Sequence, residues 1–393
     1  MRENIEQNNL SYFQCINCGQ EFAITKEEEL FYANKMWPMP KRCKKCRDIR
    51  REKLTEDEKE RGERRRVQQL NEVMATSPFT IIKNKDEIIL EPMKTLYIIG
   101  NGFDIMHGVP SGYYNFRDSL GKHSDLREAL ETYIKKRDLW ANFEEGLADI
   151  DAEAMIAGLD EWMDTYNAYD PDAQVADFNL AVESAIGPTQ VIMYELPKRF
   201  RKWINTLSPN MGNKPLEKLI NQRERYINFN YTEFLETIYD VPENNVVYLH
   251  GCRRNKREEL ILGHSQGAES DWSLPDIVEG SHIRMEQKLY DAQEIATNYL
   301  GEYDSATEKK TDEIINKNRL FFESLGNIKD IVVIGHSLSK VDYPYFKEII
   351  RCNKESKVLM WHISCHSAND IDNAQFFADA MGIQVKQIKL FVV

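Results

Sequence analysis

Long hydrophobic runs are missing from this sequence, and their absence narrows the class of protein. No apolar stretch approaches the roughly 20 residues that span a bilayer. The N-terminal sequence MRENIEQNNLSYFQ has no apolar core of the kind found in a secretory signal peptide. Hydrophobic residues still make up 42% of the 393 residues, which is enough for a sizeable core. We therefore expect a cytoplasmic protein of two or three folded units without membrane contact.

Cysteine is also scarce. There are seven cysteines, and an odd number without a secretion signal argues against a disulfide scaffold. Four of them form two CxxC pairs, in FQCINCGQEF and PKRCKKCR, and two such pairs complete a tetrahedral site of four thiolates. We predict a zinc ribbon over residues 1–50. Its structural zinc ligands would be Cys15, Cys18, Cys43 and Cys46.

Positive charge is concentrated near the N-terminus. Residues 1–66 contain 16 basic and 13 acidic residues, whereas the whole chain has a net charge of −13, so the remainder carries −16. A body this acidic argues against a general nucleic-acid binder. The ribbon is where a nucleic acid or a protein partner could bind, through Lys41, Arg42, Lys44, Lys45 and Arg47. Residues 51–78 alternate in charge at helical spacing and predict an exposed helical linker.

The body of the chain, residues 79–393, is predicted to be an α/β domain. Its apolar runs are nearly continuous in Val, Ile, Leu and aromatic residues, as in strands buried on both faces. These runs are TLYIIG, YINFNY, NVVYLH, LILG, IVVIG, KVLMWHIS and VKQIKLFVV. Helix-like segments such as YPYFKEIIRCNK alternate with them, which indicates a Rossmann-like parallel sheet. Segments with helical spacing predict helical insertions at about 118–221 and 283–325.

Glycine-containing or polar clusters follow five of these runs. In an open parallel sheet, ligands bind outside the carboxyl ends of the strands, so we expect the clusters to form one site. The candidate catalytic residues are Asp104, Asn230, His250 and His336. The candidate ligand-binding residues are Gly100, Asn101, Gly102, Phe103, Thr232, Gly263, His264, Ser265, Gly335 and Ser337.

Two common sequence motifs are relevant to these clusters. A Walker P-loop is excluded, because the sequence contains no GxxxxGK[ST]. The segment GHSQG at 263–267 matches the GxSxG elbow of serine hydrolases, in which Ser265 would be the nucleophile. That elbow must open directly onto a helix, whereas the following GAESDWSLPD is typical of a loop. A serine hydrolase is therefore a remote alternative.

Several sequence blocks resemble the AbiH family of bacteriophage abortive infection proteins. They are IIGNGFDIMHGVPSGYYNF, WANFEEGL, FNYTEFLETIY, YLHG, ILGHS and VVIGHSLSKVDYPYF, and they keep the family's order over about residues 94–393. The FxCxxCG…PKRCKKCR segment is similar to a separate zinc-ribbon module. The resemblance implies an effector of phage defence.

The family in turn resembles, more distantly, the sirtuin-like NAD-binding proteins. That comparison implies that the Gly100–Gly102 loop takes the phosphates of a dinucleotide, that Asn230 lies near the nicotinamide ribose, and that His250 is the catalytic histidine. Gly335–Ser337 would contact the ribose or the adenosine side. Thr232 stands where those proteins have an aspartate, and the zinc module here precedes the catalytic body. Protein deacetylation is therefore not implied.

The residue types themselves suit cleavage of an N-glycosidic bond. Asn230 can orient water or a ribose hydroxyl, and His250 can act as a base near neutral pH. Backbone N–H groups at Gly100–Phe103 can hold a pyrophosphate, and Asp104 or Glu144 could polarise a histidine. Each residue also has a structural interpretation: Asp104 could cap the following helix, and a strand-end histidine is often a packed core residue.

Three functions stay open on the sequence alone. The first is an effector that binds and hydrolyses a nucleotide, with NAD as the first candidate substrate. The second is a nuclease of RNA or DNA, with the basic ribbon delivering the substrate. The third is a non-catalytic, nucleotide-sensing scaffold that assembles with partners, and a homo-oligomer is compatible with all three.

Overall fold

A computed structural model describes residues 10–26, 29–30, 39–155, 175–265, 283–353 and 358–393. The chain divides into two compact units, Met1–Ala75 and Thr76–Val393. Two predicted features lie partly outside the described residues. Residues 266–267, the end of the GxSxG motif, are in the gap at 266–282, and part of the first predicted insertion is in the gap at 156–174.

In the residues that the structure describes, the N-terminal unit contains a hairpin and a long helix. Strands β1 (Leu10–Gln14) and β2 (Glu21–Thr25) pair antiparallel, and helix α1 covers Lys44–Thr76. The second cysteine pair lies at the start of this helix, with Cys43 just before it and Cys46 in its first turn. The ribbon expected for residues 1–50 and the helical linker expected for 51–78 therefore share α1, and the second knuckle lies at the start of this helix.

The larger unit contains a seven-stranded parallel sheet, which confirms the predicted α/β class. Its strands are β3 (Thr80–Ile82), β4 (Thr95–Ile99), β5 (Arg225–Asn228), β6 (Val246–Tyr248), β7 (Asp330–Ile334), β8 (Met360–Cys365) and β9 (Ile388–Val392). Their order is β3-β9-β8-β7-β4-β5-β6, and each pair is parallel. All five residues of the central strand β4 are buried, as their unbroken apolar pattern predicts.

Two strand predictions differ from the structure. The edge strand β3 was not recognised, because its three residues are too few to show a period. The run LILG, residues 260–263, does not form a strand of the sheet. Its backbone is instead fixed next to an isolated bridge between His264 and Glu308.

Helices connect the strands of the sheet. They are α2 (Asn101–Met106), α3 (Tyr113–Leu120), α4 (Asp125–Tyr133), α5 (Phe143–Gly146), α6 (Val175–Ile204), α7 (Phe234–Tyr239), α8 (Ile283–Thr307), α9 (Thr311–Lys317), α10 (Arg319–Glu323), α11 (Tyr343–Cys352) and α12 (Ala368–Met381). Helices α3 to α6 pack around an aromatic cluster that includes Phe116, Phe143, Phe200 and Trp203.

The strand order creates a topological switch point between β4 and β7. From β4 the chain continues to β5 and β6 on one side, whereas β7, β8 and β9 extend the sheet on the other side. At such a point the loops that leave the two central strands diverge, and a crevice opens outside their carboxyl ends. The fold therefore presents one preferred position for a ligand.

The glycines after β4 lie against the backbone of the loop after β7. The Gly100 N–H donates to the carbonyl of Ile334 at 2.9 Å, and the Gly102 N–H donates to that of Gly335 at 2.7 Å. A Cβ atom on Gly102 would lie 2.7 Å from the Cα of Gly335, and one on Gly335 would lie 2.2 Å from the nitrogen of Phe103. The close approach that requires these glycines is thus between two loops of the chain itself.

Candidate functional site

A cavity of about 290 Å³ lies at the switch point, outside the carboxyl ends of the strands. Of the residues that the sequence singles out, its wall includes Gly100, Asn101, Gly102, Asp104, Glu144, Asn230, Thr232, His250, Gly335, His336 and Ser337. Phe103 is buried within α2 and does not line the cavity, and neither do Gly263, His264 and Ser265. Four of the five strand-end clusters therefore meet at one cavity.

Asp104 holds two of the other candidate residues. The Nδ2 of Asn230 donates to its Oδ1 at 2.9 Å, and the Oγ1 of Thr232 donates to its Oδ2 at 2.6 Å. The N-cap of α2 is Gly100, so Asp104 is not the helix cap. Burial raises the pKa of Asp104 to about 7, although the hydrogen bonds from Thr232 and Asn230 oppose the rise. Its carboxyl group therefore changes protonation state near neutral pH.

One ring nitrogen of His250 has no hydrogen-bond partner among the described residues. Its ring makes a hydrogen bond with the carbonyl of Phe229, and Nε2 makes none within the described part of the chain. Nδ1 therefore carries the proton, and Nε2 keeps its lone pair, 3.6 Å from Oδ1 of Asp342. Burial and the positive charge of Lys309 lower the pKa of His250 to about 3, with Asp342 opposing them. The imidazole is thus neutral at pH 7.

His336 is held in the opposite tautomer. Its Nδ1 accepts a hydrogen bond from the N–H of Leu338 at 2.9 Å, so Nε2 carries the proton and faces Oδ2 of Asp342 at 3.3 Å. Leu338 has a φ of 56°, a left-handed conformation that costs a bulky residue about 1–2 kcal/mol. This strained turn directs the backbone N–H at the imidazole and so fixes the ring.

Lys309 and Asp342 form ion pairs at the cavity wall, and neither is among the candidate residues from the sequence. Lys309 is fully buried, and its Nζ lies 2.8 Å from Oε2 of Glu144 and 3.4 Å from Oδ1 of Asp342. Burial alone would raise the pKa of Asp342, but Lys309 and the two histidines lower it below its ordinary value. Asp342 is therefore ionised at neutral pH. It lies in the quoted SKVDYPYF block, whereas nothing local in EKKTDE marks Lys309.

Two tyrosine hydroxyls also lie within hydrogen-bond distance of Glu144, those of the partly buried Tyr113 and the buried Tyr231. The Tyr113 hydroxyl donates to its Oε1 at 3.0 Å, and the Tyr231 hydroxyl lies 3.3 Å from the same atom. Burial and the charge of Glu144 raise the pKa of both tyrosines well above its ordinary value. Both hydroxyls therefore keep their protons at neutral pH and serve as donors.

Two polar atoms on cavity-lining residues have no protein partner. They are Oγ of Ser111 and Nε2 of His250, and neither makes a hydrogen bond in the described part of the chain. Ser111 is 6% exposed and His250 is 2% exposed. A buried polar atom without a partner is costly, so this pair is what a site would leave open for a ligand or for water molecules.

The fifth strand-end cluster has a structural contact instead. The N–H of His264 donates to the carbonyl of Thr307 at 2.9 Å, and the N–H of Lys309 donates to the carbonyl of His264 at 2.9 Å. A Cβ on Gly263 would lie 2.0 Å from the Thr307 oxygen, so this glycine permits a close backbone contact. The cluster thereby fixes the segment that carries Lys309.

The four N-terminal cysteines are arranged as metal ligands. Their sulfur atoms all lie within 4.8 Å of one another, and Sγ of Cys18 is 3.8 Å from Sγ of Cys43. A tetrahedral zinc ion with Zn–S bonds of about 2.3 Å places its thiolates roughly 3.8 Å apart. Within the described residues, this is the set of His, Cys, Asp and Glu side chains that converges closely enough to hold a metal ion. The set fits a structural zinc ion.

Comparison with protein families gives two matches. The family "Bacteriophage abortive infection AbiH" matches residues 96–364, a range that contains every residue of the cavity wall. The family "Probable treble clef domain" matches residues 11–54, in agreement with a cysteine knuckle on a hairpin and a second at a helix start. The N-terminal module, a small antiparallel hairpin with a four-cysteine cluster, is thus similar to a probable treble clef domain. Neither a curated protein nor a solved structure matches the chain.

No helix in the described ranges is long and apolar enough to cross a membrane.

Proposed function

Since the chain belongs to the AbiH family of bacteriophage abortive infection proteins, we propose that its cavity binds a nucleotide and hydrolyses the N-glycosidic bond of that nucleotide. NAD is the first candidate substrate. The observation that carries the proposal is the cavity at the switch point, whose wall includes the unpartnered Ser111 Oγ and His250 Nε2. The motif resemblance to sirtuin-like NAD-binding proteins supports the choice of NAD.

The charge of the cavity favours the sugar and base end of a nucleotide over its phosphates. In the described part of the chain, the wall has the carboxyl groups of Asp104, Glu144 and Asp342 but no Lys or Arg side chain. Anionic phosphates would be repelled there, whereas a sugar or a cationic base would be attracted. A cavity of about 290 Å³ is near the lower limit for small-molecule sites, so it suits one half of a dinucleotide. The phosphates would then lie at the mouth, by the glycine loops.

The same carboxylates suit the transition state of glycoside cleavage. When the bond between the base and the ribose C1′ breaks, nicotinamide departs with the bonding electrons and the ribose acquires oxocarbenium character. The side chains of Asp342 and Glu144 stabilise that developing positive charge. Water then bonds to C1′ and gives up a proton. Asp104, with a pKa of about 7, can take it.

His250 and Asn230 would position the reactants. The lone pair on Nε2 of His250 accepts a hydrogen bond from a ribose hydroxyl or from the attacking water. Asn230 is held by Asp104, and Asn230 can orient the same water molecule. A pKa of about 3 makes His250 a weak base, so we assign its role to accepting a hydrogen bond and assign the proton to Asp104.

The test compares His250→Ala with His123→Ala, a matched control at an exposed histidine. Cells carrying each variant are challenged with phage, and NAD content, nicotinamide release and nucleic-acid integrity are followed. We expect His250→Ala to fold and bind nucleotide but to lose most of its turnover, together with phage protection, because the ribose or the attacking water loses its hydrogen-bond acceptor. His123→Ala should retain both. A His250→Ala protein that melts early yet keeps full specific activity would make this histidine a core residue.

A nuclease is the second candidate, and one observation favours it. Lys41, Lys44 and Lys45 are exposed around the second cysteine pair and could contact nucleic acid. RNA or DNA cleavage with intact NAD during the phage challenge would support this candidate. Nucleotide binding without any cleavage would support the sensing scaffold.

A further inference from the structure

Lys309 is a buried cation whose surroundings are made of cavity residues. Its side chain has no exposed surface, and its Nζ contacts the carboxylates of Glu144, in α5, and Asp342, just before α11. Burial would lower the pKa of Lys309, but Asp342 and Glu144 raise it above its ordinary value. A buried charge is tolerated when it is paired and hydrogen-bonded. Lys309 therefore stays charged and joins two walls of the cavity.

The chain places this lysine with backbone contacts rather than leaving it on a loose loop. Lys309 lies between α8 and α9, and its N–H donates to the carbonyl of His264. The neighbouring bond from His264 to Thr307 completes the bridge, and Gly263 allows the two segments to touch. This contact thus holds the ammonium group against the carboxylates of Glu144 and Asp342.

We propose that Lys309 is a positioning residue, which fixes the carboxylates of Glu144 and Asp342 at the cavity wall and thereby keeps Nε2 of His250 free to accept a hydrogen bond from the ligand. The ligand contact in this inference depends on the proposed function. The effect of Lys309 on His250 does not depend on it and can be measured without a substrate.

The groups around His250 show why Lys309 matters. Oδ1 of Asp342 is 3.6 Å from Nε2, and the His336 imidazole and the Tyr231, Tyr345 and Phe229 rings pack nearby. Asp342 favours a proton on Nε2, whereas Lys309 and His336 disfavour it. Without Lys309, Asp342 would attract a proton to Nε2, and His250 would change from an acceptor to a donor.

The experiment follows the protonation of His250 by NMR in full-length protein with ¹³Cε1-labelled histidine, the His250 signal being assigned from His250→Gln. We compare wild type, Lys309→Met and the matched control Lys310→Met, which removes the exposed lysine next in the chain. Wild type and Lys310→Met should show no titration of His250 between pH 5 and 8. Lys309→Met should move its midpoint upward by about two pH units or more, into this range.

A second variant covers the case in which Lys309→Met does not fold. Lys309→Met/Glu144→Gln removes one positive and one negative charge together, so no additional net charge is buried, and Asp342 still faces His250. The same upward shift is expected. NAD affinity of the variant should also become pH-dependent across the new midpoint, while that of wild type does not change there. A folded double variant in which His250 remains unprotonated at pH 5 would overturn the proposal, whether or not NAD proves to be the substrate.

Discussion

Asp104→Asn should remove a pH-dependent loss of stability. The pKa of Asp104 is raised from its ordinary 3.8 to about 7, because its carboxyl group is buried between Asn230 and Thr232. An asparagine keeps the shape of the side chain. Its amide oxygen can accept from Asn230, and the Thr232 hydroxyl can rotate to accept from the amide nitrogen. The substitution therefore removes the titration while retaining the contacts.

The size and sign of the effect follow from proton linkage. Below about pH 3 the carboxyl is largely protonated in both the folded and unfolded states. As the pH rises, the unfolded chain releases this proton first, so the free energy of unfolding falls until the folded-state pKa near 7 is passed. A shift of this size corresponds to about 4 kcal/mol in total, and to about 2.5 kcal/mol between pH 5 and pH 8. The amide of the Asp104→Asn variant does not titrate, so the variant lacks this dependence.

The assay is urea unfolding followed by tryptophan fluorescence at pH 5, 6, 7 and 8, for wild type and Asp104→Asn. The difference between the two free energies of unfolding should grow in favour of the variant by about 2.5 kcal/mol over this range. Asp372→Asn is the control, because Asp372 is an exposed carboxylate on α12. A difference between wild type and Asp104→Asn that stays constant from pH 5 to pH 8 would refute the reasoning.

Two further predictions concern the metal and the glycine contact. Metal analysis should find close to one zinc per chain, and Cys15→Ser/Cys43→Ser should lose it; a folded N-terminal unit without metal would contradict this. Gly335→Ala should destabilise the protein by several kcal/mol more than Gly108→Ala, measured by denaturant unfolding. Both glycines have positive φ, but a Cβ at Gly108 meets nothing within 4 Å whereas one at Gly335 meets the backbone of Phe103. Equal losses would show that the loops after β4 and β7 can separate easily.

The sheet could be predicted from the sequence because its strands are buried on both faces. Unbroken apolar runs ended by glycine or a polar residue marked β4, β5, β6 and β7 and the edge at which they end. The run LILG has the same composition but forms no strand, because its fit to the segment around Thr307 depends on residues about 45 positions away. Local pattern does not contain that information.

The glycines show a second limit of prediction from sequence alone. From the sequence, Gly100 and Gly102 indicate that a backbone approaches closely, but not whether a phosphate or another loop does so. In the structure Gly102 lies against Gly335, which is 233 residues further along the chain, and phosphate binding by this loop stays a prediction. As a consequence, Gly102→Val is a poor probe of ligand binding, because the valine side chain would collide with Gly335 before any ligand arrives. Lys309 was missed for a related reason: its importance lies entirely in contacts with distant carboxylates.

The sequence separation between the two loops also determines when the cavity can form during protein synthesis. The lining of the cavity includes the segment around Asp104 and the segment around Asp342, with about 240 residues between them. At roughly 5–20 residues per second, a ribosome needs about 12 to 50 s to make that stretch. A nascent chain that has already folded β4 and its glycine loop therefore has no cavity during this interval. In an abortive-infection protein, the site comes into being only after most of the chain has left the ribosome.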